Sequence, residues 1–132
     1  MTDTKAADQA NLETIVERYF DTWNVADAEL RLELCRRVWA RDGHYVDPIF
    51  EARGPAAIAE SLGAFQAQFP GHRVTRTTGI DAHHDCARFA WVVTSPDGTA
   101  VFAGVDVVVV ADDGRFQSMT GFLGDLEGTV AT

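Results

Sequence analysis

Three residues stand where side-chain type and neighbourhood could support acid-base chemistry. Asp106 lies inside Ala100-Val101-Phe102-Ala103-Gly104-Val105-Asp106-Val107-Val108-Val109-Val110, the most apolar stretch of the sequence. Such a β-branched run reads as a strand buried on at least one face, where an ionised carboxylate is costly unless it is paired, hydrogen-bonded or protonated. A carboxylic acid kept protonated in an apolar pocket can donate a hydrogen bond to developing negative charge. The bland alternative is a core aspartate bonded to a backbone group or to a tyrosine. Asp47 is the second residue, at the end of a short strand in Tyr45-Val46-Asp47-Pro48-Ile49-Phe50. Asp-Pro commonly opens a turn, but a carboxylate there that points inward near Phe50 could remove a proton next to a carbonyl. Tyr19 is the third, a core tyrosine or an oxyanion donor.

The elements that must position these residues follow from periodicity. From Gln9 to Trp23, apolar residues at Leu12, Ile15, Val16, Tyr19, Phe20 and Trp23 define one helical face. Asp27 is a suitable N-cap for a second helix to about Trp39, with Leu30, Leu34, Cys35, Val38 and Trp39 inward and Gly43 as its breaker. His44-Tyr45-Val46 reads as a short strand. A third helix starts at Gly54-Pro55, carries Ile58, Leu62, Phe65 and Phe69 on one side, and stops at Pro70-Gly71. The period then falls to two, giving strands over His72–Ala82, Cys86–Ser95, Thr99–Ala111 and Arg115–Leu123. Turn chemistry separates them at His83-His84-Asp85, Ser95-Pro96-Asp97-Gly98 and Asp112-Asp113-Gly114. Helices first and a strand meander after them predict an α+β domain, with three helices on the concave side of a curved antiparallel sheet.

Residues 1–132 suit a single domain, with a short flexible segment over 1–8. The 20 acidic against 11 basic residues, net charge -9, disfavour nucleic acid and anionic membranes as partners. The longest apolar run falls well short of the roughly 20 residues of a membrane-spanning helix, and the polar N-terminus carries no signal-peptide core. Cys35 and Cys86 show no paired spacing and read as reduced packing residues, so a cytoplasmic location is expected. His83-His84-Asp85 is too compact for a metal centre, and no phosphate-binding glycine loop or nucleophile elbow is present. No metal and no cofactor is therefore expected. Arg73, Arg76 and Arg88 read as a solvated or dimer-facing surface.

Strand alternation places Phe102, Gly104, Val108 and Val110 on the face of Asp106. Neighbouring strands offer Ala87, Phe89, Trp91 and Val93 on one side and Met119, Gly121 and Leu123 on the other. With Phe50, Leu62 and Phe65 from the preceding elements, the expected ligand contacts are those three and Phe89, Trp91, Phe102, Met119 and Leu123. An apolar pocket holding one acid has the composition of a small-molecule site.

Glu17-Arg18-Tyr19-Phe20, Tyr45-Val46-Asp47-Pro48 followed by Gly54 and Ile58, and Val105-Asp106-Val107 followed by Gly114-Arg115 carry a resemblance. The chain resembles the nuclear-transport-factor-2-like (NTF2-like, cystatin-like) superfamily, in its SnoaL-like polyketide cyclase and ketosteroid isomerase branch, over about Leu12 to Leu123. That resemblance implies the NTF2-like cone, a homodimer through the sheet, and a cofactor-independent enzyme acting on a small apolar or carbonyl-containing ligand by enol chemistry. It also implies roles: Asp47 as base, with Tyr19 and a protonated Asp106 as oxyanion donors. Isomerisation, cyclisation and dehydration all remain open. The sequence departs from the isomerase pattern at Trp39 and Leu62, where supporting tyrosines would be expected, and at Trp91, whose ring would crowd a steroid. Gly104 stands two residues before Asp106, where limonene-epoxide-hydrolase-like enzymes carry an arginine. The alternatives are a non-catalytic small-molecule-binding module, or a structural dimerisation domain whose cavity Trp91, Phe50 and Phe102 fill.

Overall fold

A computed structural model describes residues 2–124, with side chains from Gln9 onward. In chain order the elements are α1 (Thr2–Asn24), α2 (Ala28–Val38), β1 (Trp39–Val46), β2 (Glu51–Arg53), α3 (Pro55–Gln68), β3 (Arg73–Arg76), β4 (Asp81–His83), β5 (Cys86–Thr94), β6 (Ala100–Val110) and β7 (Phe116–Leu123). The sheet runs β2-β1-β7-β6-β5-β3, with β4 also paired to β5. This is the expected α+β architecture, with one difference in strand direction: β1 joins β7 in parallel, so the sheet is mixed and not wholly antiparallel. The parallel pairing follows from chain order. β1 and β7 are joined through most of the molecule and need no hairpin.

Alternation along the long strands builds the core. Ala87, Phe89 and Val93 of β5, Val108 of β6 and Phe116 and Met119 of β7 face Val16, Tyr19, Phe20 and Trp23 of α1. Burying one such large side chain contributes about 1.5–3 kcal/mol, so the α1 stripe suffices to hold the helix on the sheet. The register is the one alternation requires: Asp106 is paired with Phe89 on β5 and with Gly121 on β7. Asp27 caps α2, its Oδ1 accepting from the backbone N–H of Glu29 at 2.9 Å. Pro55 opens α3 after Gly54, whose φ of 83° suits glycine.

Several expected boundaries shift. α1 begins at Thr2, ahead of Gln9. α2 ends at Val38, and β1 runs from Trp39 straight through Gly43, which breaks no helix. Gly43 instead sits at a register shift, where an added Cβ would meet Trp39 Cε3 at 2.9 Å. The backbone closes on the buried indole there, and only glycine fits. On α2, Leu30 is exposed and Arg31 is buried in its place. The Arg31 guanidinium donates to the carbonyls of Val25 and Ala26 and to Gln66 Oε1, tying the α1–α2 loop to α3. The single strand expected over His72–Ala82 is two, β3 and β4, parted around Gly79. β2, at three residues, is too short to show a period in the sequence.

Candidate functional site

Asp106 points inward from β6 and is 2% exposed. Tyr19 Oη, brought over the sheet by α1, donates to Asp106 Oδ2 at 2.8 Å. Trp91 Nε1 on β5 donates to Asp106 Oδ1 at 3.1 Å. The indole reaches this far because its partner across the ladder is Gly104. A Cβ on Gly104 would stand 2.5 Å from Trp91 Cζ2. Burial pushes the Asp106 carboxyl up to about 7; the Tyr19 and Trp91 hydrogen bonds oppose the shift, and the nearby Asp47 adds to it.

Asp47 leaves the end of β1, two residues and therefore one face-repeat after Tyr45. Tyr45 Oη donates to Asp47 Oδ2 at 2.6 Å. The backbone N–H groups of Ile49 and Phe50 donate to Oδ1 at 2.7 and 2.9 Å. Asp47 is thus both turn opener and cavity residue, accepting all three bonds. Burial raises both tyrosines above their ordinary range, Tyr19 with the Asp106 charge adding and Tyr45 with those of Asp106 and Asp47, so each keeps its proton.

Gly121 joins the two clusters. A Cβ there would stand 3.0 Å from Asp106 Oδ1 and 3.1 Å from Asp47 Cβ. In front of them is a cavity of about 40 Å³, room for a few water molecules, lined by Tyr19, Asp47 and Asp106 together with Phe50, Phe65, Trp91, Phe102 and Leu123. Trp23, Tyr45, Ile49, Val74 and Val93 complete the wall. Leu62, Phe89 and Met119, expected as ligand contacts, do not line it. Each is at most 2% exposed, and Phe89 is packed edge-on against Tyr19 and Phe20. They belong to the core.

Two of these hydrogen bonds escape a reading by composition. Tyr45 shows only as the Tyr-x-Asp spacing that puts both groups on one strand face. The Trp91 ring is visible in the sequence as bulk, but its N–H bond to Asp106 depends on Gly104 opposite. Tyr19 and Asp106 stand in series, the Tyr19 hydroxyl donating to Asp106 Oδ2. Among the described residues the lining contains no Lys, Arg or His. No three of the described His, Cys, Asp and Glu side chains converge as metal ligands.

Residues 16–119 match the SnoaL-like domain family. The chain belongs to the SnoaL-like family. As a SnoaL-like domain it is similar to a solved structure from Agrobacterium tumefaciens, a protein of the same family bearing a provisional isomerase name. Identity is 36%, the TM-score is 0.84, and the match covers 88% of this chain and 99% of that one. A provisionally named SnoaL-like polyketide cyclase from Jannaschia is 17% identical, with a TM-score of 0.70 over 86% of this chain and 85% of that one. A cystatin-like protein of unknown function from Methylobium petroleophilum is 18% identical, with a TM-score of 0.73 over 91% and 80%. These two share the NTF2-like, cystatin-like fold of this SnoaL-like domain. No curated protein matches the chain. No described helix is long and apolar enough to cross a membrane.

Proposed function

We propose that this SnoaL-like domain is a cofactor-independent enzyme that enolises a small, uncharged carbonyl compound. The observation that carries the reading is the placing of two differently furnished carboxyl groups beside Gly121. Asp47 accepts three hydrogen bonds and serves as base, while the buried Asp106, its carboxyl pushed up to about 7, supplies the proton. A ligand carbonyl beside Asp106 places its α-carbon toward Asp47. Asp47 takes the α-proton, the C–H electron pair becomes the new carbon–carbon double bond as the carbonyl π pair moves onto oxygen, and the Asp106 proton stabilises the enolate. Return of the proton to another carbon is isomerisation; attack of the enol carbon on a second carbonyl is cyclisation; loss of a β-hydroxyl is dehydration. Tyr19 acts through Asp106, and Tyr45 holds Asp47.

The lining supports an uncharged ligand. Two acids face the cavity with no described cation beside them, and exposed Ile49 and Leu123 make its rim apolar. A carboxylate or phosphate would meet like charge with nothing to offset it. The test is Asp47→Asn. Deuterium uptake at the α-carbon of small cyclic enones should fall at least a hundredfold while binding and folding are retained. Undiminished exchange would remove Asp47 from the chemistry.

The apolar lining supports a second reading, a small-molecule-binding module without turnover, in which the wild-type protein binds such ketones and exchanges none of their protons, while the small volume of about 40 Å³ weighs toward a structural dimerisation domain. Under either reading, Val101, Val105, Val107 and Phe122 form an apolar outer face on β6 and β7 that suits a homodimer through the sheet. A monomeric mass in solution would exclude the dimer. The two free cysteines, Cys35 and Cys86, support a cytoplasmic location.

A further inference from the structure

Both oxygens of Asp106 are occupied from within the chain, and the two are not equivalent. Oδ2 faces Tyr19, at the core side. Oδ1 faces Gly121, beyond which lie Asp47 and the Tyr45 hydroxyl. The oxygen nearer the proposed base is therefore the one that Trp91 holds. An indole N–H is a donor only and cannot turn round to accept, so it favours negative charge on Oδ1 in every state of the site. The arrangement is specific in its steric demand. Trp91 lies opposite Gly104, and an added Cβ there would collide with its Cζ2 and Cε2 and with the Phe122 carbonyl oxygen. Gly104 thus clears the path along which the indole crosses to the next inward residue of β6.

We propose that Trp91 is a positioning residue: its N–H aims Asp106 Oδ1 at the ligand and takes up the negative charge that develops there when Asp106 shares or gives up its proton. This rests on Asp106 being the acid of the site, and it makes Asp106 a group that changes protonation near neutral pH. It is not a permanently neutral donor. The titratable groups that face Asp106 are Tyr19 from α1, Tyr45 from β1 and Asp47 from the turn after β1. β5 and β7 present Phe89, Trp91 and Gly121, which do not titrate. No described cation opposes them, so a donor bond is the local means of easing ionisation, and burial the first cause that resists it.

The experiment needs no substrate. Protein labelled with ¹³C at the aspartate carboxyl carbons is titrated by NMR, and the Asp106 signal is assigned by its loss in Asp106→Asn. The wild-type signal should titrate near pH 7. In Trp91→Phe, which keeps a ring and removes the N–H, the midpoint should rise by about one pH unit. In the wild type, the Trp91 indole proton should shift with the same midpoint and lose that dependence in Asp106→Asn. This second reading holds even if Trp91→Phe folds poorly. A midpoint unmoved or lowered in Trp91→Phe, or an indole proton blind to the titration, overturns the proposal. Neither readout depends on α-proton exchange, so failure of the enolisation reading would be seen separately.

Discussion

Replacing Asp106 with Asn should stabilise the protein above neutral pH and do progressively less as the pH falls. The folded carboxyl titrates at about 7 against 3.8 for an ordinary aspartate, so the folded state binds the proton more tightly than the unfolded chain. Below pH 4 both states are protonated and the shift contributes nothing relative to full protonation. Between pH 4 and 7 the unfolded chain ionises while the folded site does not, and stability falls as the pH rises. At about 1.4 kcal/mol per unit, the loss above pH 7 amounts to about 4 kcal/mol. Asparagine escapes it, with an offset: its carbonyl can accept from Trp91, but its amide then faces Tyr19, whose hydroxyl must turn to accept. A net gain of about 2–3 kcal/mol at pH 8 is expected on that basis. Urea unfolding of both proteins from pH 4 to 8 gives the difference directly and cancels the opposing contributions of the exposed Asp42, Asp97 and Asp113, whose carboxyls are held low by local hydrogen bonds. A difference that is flat across that range would refute the burial argument.

Gly121→Ala should fold normally but lose at least tenfold in ligand affinity, because the new methyl would wedge between Asp106 and Asp47; titration with a small cyclic enone checks it. Arg31→Ala should cost about 2–4 kcal/mol by chemical denaturation, since it strips a buried donor from the Val25 and Ala26 carbonyls and from Gln66. Methyl levulinate should bind at least tenfold more tightly than levulinate, and the ratio should shrink in Asp47→Asn, where the repelling charge is gone. Equal binding of the two in the wild type would contradict the uncharged-ligand reading.

What the sequence made legible was whatever a period or a turn residue encodes. The α1 stripe, the Asp27 cap, the Gly54-Pro55 start and the three hairpin turns are each read from residues close in the chain, and all stand in the structure. Alternation around Asp106 likewise fixed its inward direction and its neighbours Phe89 and Gly121. Long-range packing was not legible. Gly43 looks like a helix breaker until the Trp39 ring beneath it is seen, and Arg31 looks like a solvated charge until the loop carbonyls close around it. Leu62, Phe89 and Met119 share the faces of true lining residues, but they are packed into the core and do not line the cavity. The parallel β1–β7 pairing leaves no local mark at all.

The central claim is that Asp47 and Asp106 address one ligand from opposite ends, and a structure with phenol bound tests it most directly. Phenol is planar, small and uncharged, and its oxygen mimics an enol. The account predicts the phenol oxygen within hydrogen-bonding distance of Asp106 Oδ1, with the ring carbon next to it turned toward Asp47. A phenol bound with its oxygen at the apolar rim of Ile49 and Leu123, or pointing at Asp47 and away from Asp106, would contradict it.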